Sequence, residues 1–345
     1  MRRDDDARII DSAGAAVDGA SSALAQYGTV GVLAIVTLVA FVMSLMLGPE
    51  GFGLPAFKGA ARLVLIEIRL PRALLGLLVG GALGITGAAL QGYLRNPLAE
   101  PGLLGMTGGA SLGAVIAIHT GIAAAFSLAL PLGGLIGAGV TTLAVVLLAG
   151  QASAPVTLIL AGVAMSSVAG ALTSLVLNLA PNPFASVEML YWMMGSLSDR
   201  SLDHVWMAAP LIVAGAALLL TTHRALDALT LGETAAQNLG VNPARLRNTI
   251  VLGSALAVGA ATSVTGAIGF VGLVVPHLLR PFVAHEPGRL LVPSFLGGAL
   301  LVLAADVGLR LLSPAGDLKL GVVTALLGAP FFLWLVLASR REFGA

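Results

Sequence analysis

The chain has 345 residues, of which 57% are hydrophobic and 10% charged, with a mean hydropathy of +0.98. A soluble domain carries about 25% charged residues, so the composition excludes that class and leaves a polytopic helical membrane protein. A net charge of +1 suggests no nucleic-acid role, and the lack of cysteine excludes thiolate metal sites and disulfides.

Residues 1–28 read as a cytoplasmic polar tail. The opening MRRDDDARIIDSAGAAVDGASSALA lacks the continuous apolar region of a cleaved signal peptide. A bilayer-crossing helix needs about 20 apolar residues. Walking the chain places ten such segments near 29–47, 71–93, 101–118, 131–149, 156–178, 203–221, 246–267, 270–284, 290–312 and 320–339. They form one transmembrane domain over 29–340, followed by a short end at 341–345. An even count puts both termini on one side. With the termini in the cytoplasm, 11 of the 18 Lys and Arg fall inside and 7 outside, the sign expected of cytoplasmic loops.

Within these segments Gly76, Gly80, Gly84, Ala88 and Gly92 recur every four residues, as do Gly105, Gly109 and Gly113. Small residues at this spacing let helix backbones approach closely in lipid, which predicts tight packing inside the chain. Pro155, Pro276, Pro281 and Pro330 predict kinks or breaks.

No G-x-x-x-x-G-K-[ST] phosphate loop occurs. No His/Asp/Glu cluster has metal-site spacing, and no Ser/His/Asp constellation stands out. Membrane-embedded acids, the usual relays of proton-coupled carriers, reduce to Glu100 and Asp306, the latter expected as a structural partner for an arginine or a backbone amide. The chain is therefore not expected to be an enzyme on its own.

The polar stretch LTLGETAAQNLGVNPARLR at 229–247 interrupts this apolar text. Thr230 followed by Glu233 has the capping-box pattern. Gly240 is a helix stop, and Asn242-Pro243 is a second N-cap with proline in the first turn. Two short capped helices exceed what a plain connection needs and suggest a docking element for a separate motor.

These residues resemble the coupling-helix loop of the permease subunits of binding-protein-dependent ABC importers for iron–siderophores, haem and cobalamin, the type II importers. The resemblance covers nearly all of 30–340. Its motifs are RLPRALLGLLVGGALGITGAALQGYLRNPLAEPGLLGMTGGASLGA at 69–114, LILAGVA at 158–164, YWMMGSL at 191–197, NLGVNPARLR at 238–247, GFVGLVVPHLLRPFV at 269–283 and GVVTALLGAPFFLWLV at 321–336. The family pattern often has Glu-Leu-Pro where this chain has Asp317-Leu318-Lys319.

The resemblance implies an all-α fold of ten spans, working as a homodimer in the bacterial inner membrane. Two cytoplasmic ATPase subunits would carry ATP-Mg, and one periplasmic binding protein would deliver cargo; this chain would hold no cofactor. ATPase coupling would fall to Thr230, Glu233, Gln237, Leu239, Gly240, Val241, Asn242 and Arg245. Binding-protein docking would fall to Arg69, Arg72 and Arg310, for which headgroup-level anchoring is the plain alternative. A cytoplasmic gate would lie at Ser153, Pro155 and Thr157.

The run PNPFASVEMLYWMMGSLSDRS at 181–201 looks closest to the haem permeases. Haem would meet Met165, Met189, Tyr191 and Met193 through polarizable, apolar contact and Arg200 through a propionate, although core packing and anchoring are ordinary roles for the same residues. A ferric siderophore or cobalamin is the alternative cargo, and a carrier driven by an ion gradient is the alternative of a different class.

Overall fold

The structure, a computed structural model, describes residues 28–48, 51–53, 59–150, 155–313 and 318–343. The tail at 1–27, Ser153 of the expected gate and Asp317 lie outside the described residues. The chain opens with α1 (Gly28–Met46), whose end forms a hairpin of β1 (Leu47–Gly48) and β2 (Gly51–Phe52), pairing Leu47 with Phe52 and Gly48 with Gly51. Then come α2 (Ala60–Val64), a π turn at Leu65–Arg69, α3 (Leu70–Leu94), α4 (Met106–His119), α5 (Ala129–Ala149) and α6 (Pro155–Asn178). They are followed by α7 (Pro183–Met193), α8 (Leu202–Leu220), α9 (His223–Leu229), α10 (Glu233–Asn238), α11 (Pro243–Thr265), α12 (Val271–Leu279), α13 (Pro287–Leu312) and α14 (Leu320–Phe343).

Among the described residues, eight helices are long and apolar enough to cross a membrane, and α4 and the Val271–Val283 segment are shorter apolar helices. Together they make the ten segments read from the sequence. The second is longer than expected. It runs unbroken from Ala61 to Leu94 through the π turn, so Arg62 and Arg69 stand on a helix and not in a loop.

The central helix is α3, buried on all sides for most of its length. Its main partner is α13. The two touch backbone to backbone. A Cβ on Gly80 would strike the Gly298 carbonyl, one on Gly298 the Gly80 carbonyl, and one on Gly84 the Ser294 carbonyl. The same device joins α4 to α5, where Gly109 faces Gly137 and Gly113 faces Gly133. The four-residue glycine spacing thus serves packing within the chain. Helices α8 and α11 close the core on the other flank, with Gly215 against Gly253.

The start of α12 and the turn that precedes α4 lie beside the middle of α3. Gly272 packs on the Leu83 carbonyl and on Pro101, and the Gly272 carbonyl fills the notch at Gly87. Backbone broken at membrane depth must be satisfied inside the protein. Glu100 does this for α12, its Oε1 accepting from the Phe270 N–H at 2.9 Å, with Phe270 at φ 66°. Buried Gln91 serves nearby carbonyls. Its Nε2 lies within 3.4 Å of the Ala99, Gly272 and Leu273 carbonyls, and its Oε1 accepts from Arg280 Nη2 at 2.7 Å. Of the expected proline breaks, Pro281 opens a 3-10 turn, Pro276 and Pro330 lie inside helices and Pro155 opens α6; Pro210 and Pro293 are also accommodated within helices.

Replacing Gly84 by Leu drives a side chain into a carbonyl that cannot yield, and is expected to cost about 3 kcal/mol, the upper part of the overpacking range. Gly139→Leu, at a site with no atom within 4 Å of the added Cβ, is expected to leave the fold intact. Yield and thermal midpoint in detergent compare the two.

Candidate functional site

At one end of the bundle, α9 and α10 lie across the ends of the core helices. Leu226 and Leu229 of α9 and Ala236 of α10 are buried against the core, together with Leu246 of α11. Gly288 N, at the start of α13, donates to Asp227 Oδ1 at 2.7 Å, which also places a carboxylate at a helix N-terminus. Arg95, in left-handed conformation at the end of α3, reaches Glu233 at 3.4 Å. Both side chains are about half exposed, so that pair orients more than it stabilises. The short α9, absent from the sequence reading, is thus the seat on which α10 rests.

The expected capping box between Thr230 and Glu233 does not form. Thr230 ends α9, its hydroxyl donating back to the Asp227 carbonyl at 2.6 Å, and Gly232 at φ 101° is the residue before α10. The intervening turn takes Thr230 out of reach of the α10 amides, so α10 has only six residues. The remaining caps match the sequence. Gly240, at φ 89°, donates to the Gln237 carbonyl and Val241 to the Ala236 carbonyl, at 2.9 and 3.0 Å, a Schellman ending. Asn242 Oδ1 accepts from Arg245 N at 3.0 Å, ahead of Pro243.

The outer face of this element is exposed: Thr230, Glu233, Gln237, Leu239, Gly240, Asn242 and Arg245, with Val241 half-buried. Leu231 and Leu239 stand 68% and 66% exposed. On one side a cleft of 470 Å³ lies between Glu233, Gln237 and Val241 and the residues Tyr93, Arg95 and Pro155. On the other, a hollow of 500 Å³ holds Leu239, Gly240, Asn242, Arg224 and Arg245. The structure therefore brings Pro155, the first residue of α6, beside α10. Thr157 is exposed on α6 and does not line this cleft.

At the opposite end, Arg69, Arg72 and Arg310 converge. Arg72 grips Asp306 through Nε and Nη2, at 2.9 and 2.8 Å from Oδ1. Arg310 Nη2 lies 3.2 Å from the other carboxylate oxygen of Asp306 and 2.7 Å from Ser44 Oγ, and its Nη1 donates to the Ser44 carbonyl. Arg69 donates to the Leu45 carbonyl at 3.0 Å. The arginines thus tie the end of α1 to α3 and α13. Arg72 and Arg310 are mostly covered, at 17% and 15% side-chain exposure. The sequence reading of Asp306 as an arginine partner matches this arrangement.

Of the expected pathway residues, Met189 is wholly buried with Ala114, Val115 and Ile118, and Met193 packs against the same cluster. They fill the space between α4 and α7, and Met189 presents no surface to cargo. Met165 is partly buried on α6 against the main core. Tyr191 is exposed and carries Lys319 Nζ at 5.1 Å from its ring centre. Arg200 is bound to protein: Nε donates to the Val264 carbonyl in the last turn of α11 and Nη1 to the Asp199 carbonyl. Burial pushes its guanidinium below the usual arginine range, and Asp199 opposes that shift. Glu188, Tyr191, Asp199, Arg200 and Lys319 share a cleft of 430 Å³. Sequence reasoning missed Tyr93 and Lys319 as site residues, and Arg95 as the partner of Glu233; they become neighbours of the site only through tertiary packing.

Asp306→Asn leaves two buried guanidiniums without their counter-charge and is expected to lower stability by about 3–5 kcal/mol, the range for breaking a buried ion pair. Thermal unfolding of the purified variant in detergent measures this, and a loss below about 1 kcal/mol would show a solvent-screened pair instead.

The chain matches the FecCD transport family over residues 30–338. It is 37% identical over 311 residues to the vitamin B12 import system permease protein BtuC of Citrobacter koseri, covering 90% of this chain and 94% of that one. The corresponding Salmonella typhi protein is also 37% identical, over 310 residues. Among solved structures, a chain assigned to a metal-chelate type ABC transporter in an inward-facing conformation superposes with a TM-score of 0.81 at 31% identity, covering 90% of this chain and 98% of the other. A chain from the PsaBC complex of Streptococcus pneumoniae shares the fold alone, with a TM-score of 0.51 at 16% identity. With nearly its whole length matched, this chain belongs to the FecCD transport family, whose members are the membrane permease subunits of ABC importers.

Proposed function

We propose that this chain, as a homodimer in the bacterial inner membrane, forms the path of an ATP-driven importer for a metal chelate of the tetrapyrrole class. The observation that carries the reading is the shared cleft of α10 and Pro155. A separate ATPase, holding ATP-Mg, seats the exposed Leu231, Leu239 and Gln237. Its movement is delivered to the core through α9 and to the start of α6 across the cleft. The Lys and Arg bias supports placing this end, and both termini, in the cytoplasm. The outward leucines of α6 and α14 suit a second copy across the pathway.

At the periplasmic end, Arg72 and Arg310 share Asp306 and Arg69 lies near Arg310, so among these four groups positive charge exceeds negative. Such a surface favours an acidic binding protein by raising the encounter rate and setting register. Of these three, Arg69 has no carboxylate partner among the described residues, and it leads this contact. Arg72 and Arg310 contribute field more than direct contact.

For the cargo, cobalamin is the first reading, because the relatives at 37% identity are named for vitamin B12 import. Haem is the second, supported by the resemblance of 181–201 to haem permeases. The commitment of Arg200 to the Val264 carbonyl and the burial of Met189 weaken the haem contacts expected from sequence. ATPase stimulation of the reconstituted complex, with its binding protein loaded with cobalamin, haem or a ferric siderophore, decides among them. Uptake without ATP would overturn the importer reading in favour of an ion-driven carrier.

Leu239→Asp is expected to reduce ATP-dependent uptake in proteoliposomes at least about tenfold, as truncation of a central interface anchor does, without lowering the thermal midpoint of the isolated permease. Arg69→Glu is expected to slow binding-protein association and to weaken its salt dependence, read by surface plasmon resonance.

A further inference from the structure

Glu100 stands well inside the membrane. Pro101, the next residue, packs on Gly272, whose carbonyl fills the notch at Gly87, about 10 Å before the cytoplasmic end of α3. Phe270, which donates to Glu100 Oε1, packs on Gly328, about 12 Å along α14 from its outer end. A carboxylate at that depth is costly against hydrocarbon and is kept where it meets protein or water.

Half of this carboxylate is unused. Oε1 accepts from the Phe270 N–H, while Oε2 has no partner among the described residues and the side chain is partly exposed. Glu100 makes no ion pair among the described residues. A neutral oxygen would hold the Phe270 amide as well, so the start of α12 does not require a charge here. Gly102, on the 3-10 turn Pro101–Leu104, is exposed, with no atom within 4 Å of an added Cβ. That turn packs on α6, where the Leu103 carbonyl meets Gly162. Glu100 thus sits between the contact of its own turn with α6 and the contact of Phe270 with α14, the two helices whose outward leucines suit a second copy.

We propose that Glu100 is a charge filter in the transport path. One carboxylate from each copy, at the same level, repels cargo that carries carboxylates and accepts hydrogen bonds from cargo that carries amides in their place. The proposal deepens the importer reading and rests on it for the second copy. Like charges in a narrow path of low dielectric raise the cost of an entering carboxylate, whereas an amide N–H gains an ionised acceptor in Oε2. Haem presents two carboxylates and cobalamin presents carboxamides, so the filter favours the latter.

The chain has no cysteine, so Gly102→Cys supplies a single thiol beside the carboxylate. The purified chain, in phosphatidylcholine nanodiscs, is labelled with a cationic trimethylammonium and an anionic sulfonate methanethiosulfonate reagent. Corrected for their rates with a free thiol, the cation is expected to react about tenfold faster, the low end of enrichment by a charged cleft. Glu100→Gln in that background keeps an oxygen for the Phe270 N–H and is expected to bring the ratio to about one. Gly139→Cys, exposed on α5 with the same open space around its Cβ, is the lipid-facing control and is expected to react with neither. Equal corrected rates at Gly102→Cys, an unchanged ratio in Glu100→Gln, or labelling no faster than at Gly139→Cys overturns the proposal. Should Glu100→Gln fail to fold, the salt dependence decides: the preference is expected to vanish at about 1 M salt, and its persistence there overturns the proposal. In the reconstituted importer, Glu100→Gln is expected to raise uptake of haem relative to cobalamin by about the same tenfold, and an unchanged ratio overturns the filter. No ATP-driven uptake of either cargo by wild type overturns the importer reading instead, and the labelling still decides what the carboxylate faces.

Discussion

Helices in a bilayer have no hydrophobic gain from touching one another, because lipid tails are as apolar as leucine. What holds this bundle together is therefore distance. Where Gly80 and Gly84 meet Ser294 and Gly298, and where Gly109 and Gly113 meet Gly137 and Gly133, backbones approach to carbonyl contact. Dispersion between surfaces that close is the main attraction available. It is also intolerant, since no side chain stands between the helices to give way. The result is a stiff block in which α3 is almost wholly covered by α8, α11, α12 and α13.

Burial is uneven across the bundle. Helices α5, α6 and α14 bury 28%, 28% and 22% of their apolar windows, against 83% for the helix that contains α3. The α9–α10 element sits between the two regimes. Leu226 and Leu229 and the Asp227 contact to α13 root it in the block, while the Glu233 face opens toward the start of α6.

The buried polar groups serve the same block. Glu100 accepts from an amide left unpaired where α12 begins inside the bundle, and Gln91 donates to the Gly272 carbonyl, which Pro276, lacking an N–H, cannot serve. Asp306 neutralises arginines that would otherwise be buried beside each other. Each is costly at such depth unless paired, and each pairs residues far apart in sequence: Glu100 with Phe270, Arg72 with Asp306, Arg280 with Gln91.

Composition and period by themselves determined the membrane class, the ten helical segments, the small-residue faces and the stop and cap at Gly240 and Asn242. These depend on local chemistry: hydropathy over about 20 residues, backbone freedom at glycine, a side chain reaching three residues along. Tertiary structure alone decided the rest. The capping box at Thr230 failed because Gly232 turned the chain away. The extension of the second span to Ala61, the seat at α9, the burial of Met189 and the binding of Arg200 to Val264 all depend on partners remote in sequence. A side chain's type sets which partners it can accept, but only the fold decides which one is within 3 Å, and in a low-dielectric interior that choice separates a core filler from a residue left free to act.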